Sequence, residues 1–348
     1  MDFEIDEEAK DVAALAGEIL GREHDADAAW TALAKAGLLT LPVPERLGGA
    51  GLGVFEVGVL LTEVGRSGLD IAALETLALG VLPIARLGTE AQRTELLGVV
   101  TDSAEVLTAA LHEPSAPLPS RPRSRATRDG DGWRVSGTLV GVRRAREAYR
   151  VLVPATLDGV GAGVLLVDPR AAGVTLTDTV NSARTPEATV RLADVKADGL
   201  LGEDTTGATV TELHRFALVG ACAIADGVLA GALDLTATHL GEREQFGRPL
   251  ATFQAVAQQV ADVYLASRTL HLASLAASWQ LDPYDVEVAA YWLTEQVLPA
   301  LHTCHHLHGG VGVDMSYPLH RHYSQAKDLV RFVGGAAHRL EELACSSN

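Results

Sequence analysis

The sequence is short of cysteine, of aromatic residues and of positive charge, and each shortage closes off a class of protein. Three cysteines in 348 residues, Cys222, Cys304 and Cys345, are too few and too scattered for a disulfide framework, and their number is odd. They suit a reducing compartment, and the expected location is cytoplasmic. The formal net charge of −17 makes nucleic acid and anionic membrane surfaces poor partners, so neither is expected. It leaves room for a phosphate-bearing ligand held by a few local cations. No run of 18 or more uninterrupted apolar residues occurs, which argues against a membrane span. The acidic start, Met1-Asp2-Phe3-Glu4-Ile5-Asp6-Glu7-Glu8, is the opposite of the basic leader of a secretory signal. Aromatics are only 5% against an apolar fraction of 47%, so alanine, leucine and valine carry the core. With a mean hydropathy of +0.15, that composition suits packed helices and an oligomer interface. At this length the chain exceeds one typical domain two- to threefold.

Three textures follow one another. Ala9, Val12, Ala13, Leu15, Ala16, Ile19 and Leu20 repeat at helical spacing, and helical periodicity continues at Phe55–Arg66, Ala72–Leu87 and Glu90–Val100. The prolines and glycines between Leu41 and Gly49 interrupt it. From about Val106 the runs become short and β-like. Asp129-Gly130-Asp131-Gly132 signals a hairpin, with further strands at Val151–Val153, Gly163–Val167, Val174–Leu176 and Thr189–Leu192. Pro114, Pro117, Pro119 and Pro122 make the segment before the hairpin a loop. From about Thr205 long helices return at Val210–Glu242, Thr252–Trp279 and Val286–His308, with a corner at Phe246-Gly247-Arg248-Pro249 and a stop at Gly309-Gly310. The expected division is 1–104 helical, 105–204 β and 205–348 helical.

Three motifs stand in register with these textures. They are Arg243-Glu244-Gln245-Phe246-Gly247-Arg248-Pro249-Leu250 with Phe253-Gln254; His306-Leu307-His308-Gly309-Gly310-Val311-Gly312 with Tyr317-Pro318 and Ala326-Lys327-Asp328; and Pro42-Val43-Pro44-Glu45-Arg46-Leu47-Gly48-Gly49-Ala50-Gly51-Leu52-Gly53. In this order and spacing the whole chain resembles the acyl-CoA dehydrogenase family. The resemblance implies an α+β multidomain fold: an N-terminal helical domain, a middle β domain and a C-terminal four-helix bundle. It also implies FAD as cofactor, acyl-CoA as substrate and α,β-dehydrogenation as reaction. Electrons would leave through electron-transfer flavoprotein.

More narrowly, Cys304–Asp314 and Tyr323–Leu329 resemble the base-lacking subunit of actinobacterial steroid side-chain acyl-CoA dehydrogenases, which assemble as α2β2 heterotetramers. That resemblance implies a homologous catalytic subunit as partner and a cholesterol-derived CoA thioester as substrate. The implied cofactor-binding residues are Arg243, Phe246, Gln254, His306, Leu307, Gly309 and Gly310. Arg243 has forked donors suited to pyrophosphate, Phe246 an apolar face for cofactor rings, and the two glycines leave backbone open to close approach.

The family's catalytic carboxylate is expected at one of two places. One falls on Val333; the other, 26 residues before Arg243, falls on Ala217. Neither is acidic, so no catalytic residue is assigned. Glu212, five residues from Ala217, turns about 140° away from the same helix face. The family's flavin-facing elements are also altered, to Leu111-His112-Glu113-Pro114-Ser115-Ala116-Pro117-Leu118, which keeps Glu-Pro and loses Gly-Ser-Asp, and to Leu139-Val140-Gly141-Val142-Arg143. Two rival readings are a self-sufficient homo-oligomer with a base relocated to Glu212 or Asp226, and a non-catalytic acyl-CoA-binding scaffold. The histidines at 302, 305, 306 and 308 include an i,i+4 pair, but no glutamate stands between them as in a zinc-protease helix, so no metal is expected.

Overall fold

The computed structural model describes residues 5–346, so the acidic start Met1–Glu4 lies outside the described residues. Helix α1 (Glu7–Arg22) begins where the Asp6 carboxylate accepts the Ala9 N–H at 2.9 Å. Glu7 and Glu8 sit in its first turn and Arg22 in its last, matching the helix dipole. Ala9, Val12, Ala16, Ile19 and Leu20 are buried, while Leu15 of the expected stripe stays 40% exposed. After α2 (Ala26–Lys35), the Pro- and Gly-rich break becomes two single 3-10 turns, Leu38–Thr40 and Glu45–Leu47. Helix α3 (Val54–Ser67) follows, and then the first departure from expectation. Leu74–Val81 and Arg93–Leu97 are π-helical rather than regular, bracketing α4 (Leu82–Leu87) and α5 (Glu90–Gln92); α6 (Gly98–Ser103) closes the segment.

The β region forms an eight-stranded sheet. Its strands are β1 (Leu107–Ala109), β4 (Arg125–Asp129), β5 (Gly132–Arg143), β6 (Arg150–Leu157), β7 (Gly161–Val167), β8 (Val174–Thr179), β9 (Glu187–Lys196) and β10 (Gly199–Leu200). The order is β10-β7-β6-β4-β5-β9-β8, with β1 parallel to β6. The expected hairpin is present: Asp129 pairs Gly132 across a two-residue turn. Trp133, Val135, Leu139, Val142, Val151, Val153 and Leu165 fill the sheet's buried face. The proline-rich segment is not wholly loop. It carries a small ladder, β2 (His112–Glu113) with β3 (Ala116–Pro117), because buried Glu113 accepts the N–H groups of Arg123 and Ser124 and the Ser124 hydroxyl.

The C-terminal part holds α7 (Ala208–Glu242), α8 (Gln254–Gln280), α9 (Pro283–His308) and α10 (Leu319–Phe332), with a shorter α11 (Gly335–Ser346). Asp282 caps α9 and Pro283 occupies its first position. Helix α9 packs against α8, α10 and α11. Helix α7 is long and apolar enough to cross a membrane, but 89% of its most apolar window is buried, as in a core helix. Glycines let it touch α3 backbone to backbone. A Cβ added at Gly227 would meet the Thr62 carbonyl at 1.8 Å, and one at Gly65 the Ile224 carbonyl at 2.1 Å.

Contacts divide the described residues into two units. One comprises those of 1–26, 58–70 and 218–348; the other comprises 27–57 and 71–217.

Candidate functional site

The unit that contains the helical bundle brings two of the three motifs together. Leaving α7, the chain makes a tight hairpin, β11 (Glu244–Gln245) against β12 (Arg248–Pro249). Phe246 and Gly247 form its two-residue turn, both with positive φ, 52° and 79°. That is the turn type matched to hairpin twist, but it costs strain at a bulky residue, and Phe246 is 93% exposed. Its edge rests on Phe253 at 6.2 Å between centroids. Arg243 and Gln254 are exposed at the two ends of the corner. Among the described residues, no acidic side chain pairs with Arg243.

At the end of α9, His306, Gly309 and Gly310 are exposed, and a Cβ added at either glycine would meet nothing within 4 Å. Gly309 has a φ of 60°, so its freedom is used to end the helix. The side chain of Leu307 is 8% exposed and points inward, so its contribution to a ligand would be backbone. The two motifs meet through His308, whose ring stacks on His239 of α7 at 4.6 Å. His239 lies one turn before Arg243 and accepts the Arg243 N–H at its carbonyl. The His308 Nδ1–H donates to the Cys304 carbonyl at 2.8 Å, leaving Nε2 to accept from the Tyr317 hydroxyl at 3.1 Å. Burial first, with the neighbouring His239 and His305, pushes the His308 pKa below the ordinary histidine value, so the ring is neutral and structural. Among the described residues no three His, Cys, Asp or Glu side chains group as a metal ion requires.

Both expected base positions are apolar and closed. Ala217 and Val333 are each 0% exposed. The relocated candidates are engaged elsewhere: Glu212 is ion-paired with Arg215, one turn on, at a half-buried surface. Asp226 is buried, bonded to His271 Nδ1 at 2.9 Å and accepting the Thr62 hydroxyl at 3.4 Å.

The sheet-containing unit carries the altered flavin-facing element, and its end is sealed. Arg143, the last residue of β5, forms an ion pair with Glu75, which is 0% exposed within the π-helical turn. Burial alone would raise the Glu75 pKa, but Arg143 and Arg144 outweigh it and hold the carboxyl below its usual value. Arg144 is itself buried and bonded to Glu147 at 3.1 Å. A cavity of about 490 Å³ opens beside it. Of its lining cations, Arg144 is ion-paired with Glu147 and Arg146 with Asp178, so their donors are already engaged. Sequence reading missed the Glu75–Arg143 pair. A lone acid inside the apolar run Ala72–Leu87 was the available signal, since such a group must find a cation.

Known proteins match the whole length. A profile described as the acyl-CoA dehydrogenase N-terminal domain matches residues 6–103, and one for the C-terminal domain matches 210–342. The chain is 46% identical to acyl-CoA dehydrogenase FadE28 of Mycobacterium tuberculosis over 349 aligned positions, covering 99% of this chain and 98% of that one. Among solved structures, a Tcur3481-Tcur3483 steroid ACAD variant superposes with a TM-score of 0.90 at 36% identity, covering 98% and 97% of the two chains. The ChsE4-ChsE5 complex from M. tuberculosis gives 0.90 at 31%, covering 99% and 98%.

Proposed function

The chain belongs to the acyl-CoA dehydrogenase family, and we propose that within it this chain is the base-lacking subunit of a heteromeric enzyme. The observation that carries the reading is a contrast within one chain. An open corner with exposed, unpaired arginines is kept at Arg243–Gln254, while both base positions hold buried apolar side chains. A homologous partner chain would bring the carboxylate and the isoalloxazine site.

The corner fits the adenosine–pyrophosphate end of FAD. Arg243 presents unneutralised forked donors, Phe246 an exposed apolar face, and Gly309 and Gly310 open backbone. FAD, once bound, supplies the hydride acceptor for α,β-dehydrogenation. This chain's residues bind and orient the far end of that cofactor, and none of them moves the substrate's α-proton. The sealed Glu75–Arg143 pair supports the same reading, because it fills the element that would otherwise face the flavin ring.

The substrate class is a steroid side-chain CoA thioester, supported by one structural relative named as a steroid ACAD. An α2β2 assembly fits relatives solved as two-chain complexes. Electron-transfer flavoprotein as acceptor and a cytoplasmic site of action complete the reading. Within it, the chain divides into domains at about residues 104 and 204.

The test is expression of the chain alone and with its partner dehydrogenase. Flavin absorbance and steroid-CoA oxidation arise only on co-expression. Active yellow protein from this chain alone would sink the proposal, and colourless protein under both conditions would favour a scaffold.

A further inference from the structure

The corner between α7 and α8 holds a second cation that the motif reading does not use. Arg248 is exposed, and among the described residues no acidic side chain pairs with it. Its guanidinium lies 4.1 Å from the centroid of the Phe253 ring. Phe253 also receives the edge of Phe246, so Arg248, Phe253 and Phe246 form one ordered set. Hairpin pairing fixes the backbone of Arg248 opposite Gln245, directly after the positive-φ turn.

We infer that Arg248 is a second phosphate-binding cation of this corner, acting with Arg243 on the pyrophosphate of the dinucleotide. The inference rests on the corner being that cofactor's site. Stacking occupies one flat face of a guanidinium and leaves its in-plane N–H donors free for an anion, which a lysine ammonium would not do from the same place. Charge counting supports it. Glu242 and Glu244 flank Arg243, so Arg243 alone would leave the corner at −1 in a protein of net charge −17. Arg248 removes that residual repulsion against a pyrophosphate, which carries two negative charges. The ring beneath it holds the side chain in place before the ligand arrives, reducing the ordering cost of binding.

The experiment uses the co-expressed complex of this chain with its partner dehydrogenase, stripped of flavin and titrated with FAD at low and high salt. Arg243→Ala and Arg248→Ala should each weaken FAD binding about 10- to 100-fold, with unchanged Tm of the flavin-free complex. Arg248→Ala should also flatten the salt dependence, because one charged contact is gone. Arg248→Lys keeps the charge and loses the planar stack, so it should fall between Arg248→Ala and the parent. If Arg243→Ala weakens binding and Arg248→Ala matches the parent, the inference about Arg248 is overturned and the corner remains the site. If both match the parent, the corner is not a dinucleotide site at all.

Discussion

Two arginine clusters in this chain are treated in opposite ways. At the end of β5, Arg143 is half-buried and paired with the fully buried Glu75, and Arg144 is buried and paired with Glu147. At the corner between α7 and α8, Arg243 and Arg248 stand in solvent with no acidic partner among the described residues, beside an aromatic that is 93% exposed. An internal pair completes the fold and has nothing left to offer a ligand. An unpaired cation with an exposed aromatic beside it contributes little to the fold and keeps its donors for something outside the chain. The difference separates residues kept for structure from residues kept for binding, without appeal to residue type.

The largest expected effect breaks the sealed cluster. Arg143→Ala removes the ion-pair partner of buried Glu75, leaves only the neighbouring Arg144 to offset its charge, and should cost about 3 kcal/mol in chemical denaturation. The double variant Glu75→Leu with Arg143→Met should recover most of that loss; a double variant as unstable as the single would mean the pair acts through packing, not charge. Asp204 provides a smaller structural contrast. Its carboxylate accepts the N–H and hydroxyl of both Thr206 and Thr209 at the start of α7, and those bonds, outweighing its slight burial, lower its pKa to about 2. Asp204→Ala should cost about 1–2 kcal/mol, read from the urea midpoint. Because its folded pKa is depressed, the stability it gives is present above pH 4 and is lost as pH falls through about 2.

Histidine titration separates the pH windows. His308 and His322 both have pKa values pushed below the ordinary 6.5, burial being the largest cause in each. Unfolding therefore takes up protons, and their contribution is full above pH 6.5 and declines as pH falls below it. A Tm series from pH 7.5 to 5.5 should fall, and replacing His308 should flatten it. The smallest stability effect belongs to the open corner. Arg243→Ala should change Tm of the flavin-free complex within error, under about 0.5 kcal/mol, while lowering the flavin content of the co-expressed complex. A stability loss as large as that of Arg143→Ala would erase the contrast between the clusters.

Much of this was legible because period and turn chemistry are local. Val210–Glu242, Thr252–Trp279 and Val286–His308 were readable from apolar spacing, and the observed helices start and stop within three residues of those limits. The hairpin at Gly130-Asp131 was readable because a two-residue turn demands those residue types. What escaped depends on contacts between distant residues. The π-helical turns at Leu74–Val81 and Arg93–Leu97 have the composition of ordinary helix. Glu113 looked like a remnant of a flavin-facing element, whereas its partners, Arg123 and Ser124, make it a backbone staple. The stack of Arg248 on Phe253 depends on a corner whose path no periodicity reports.

The contrast predicts a count. If this chain contributes only the far end of each FAD and the partner alone has a complete ring site, the co-purified complex should contain one flavin for every two chains. That ratio, from flavin absorbance after denaturation against protein concentration by amino-acid analysis, is the most direct test. A value near one flavin per two chains is the expected result; a value near one flavin per chain would mean this subunit has a complete flavin site and would contradict the division of labour.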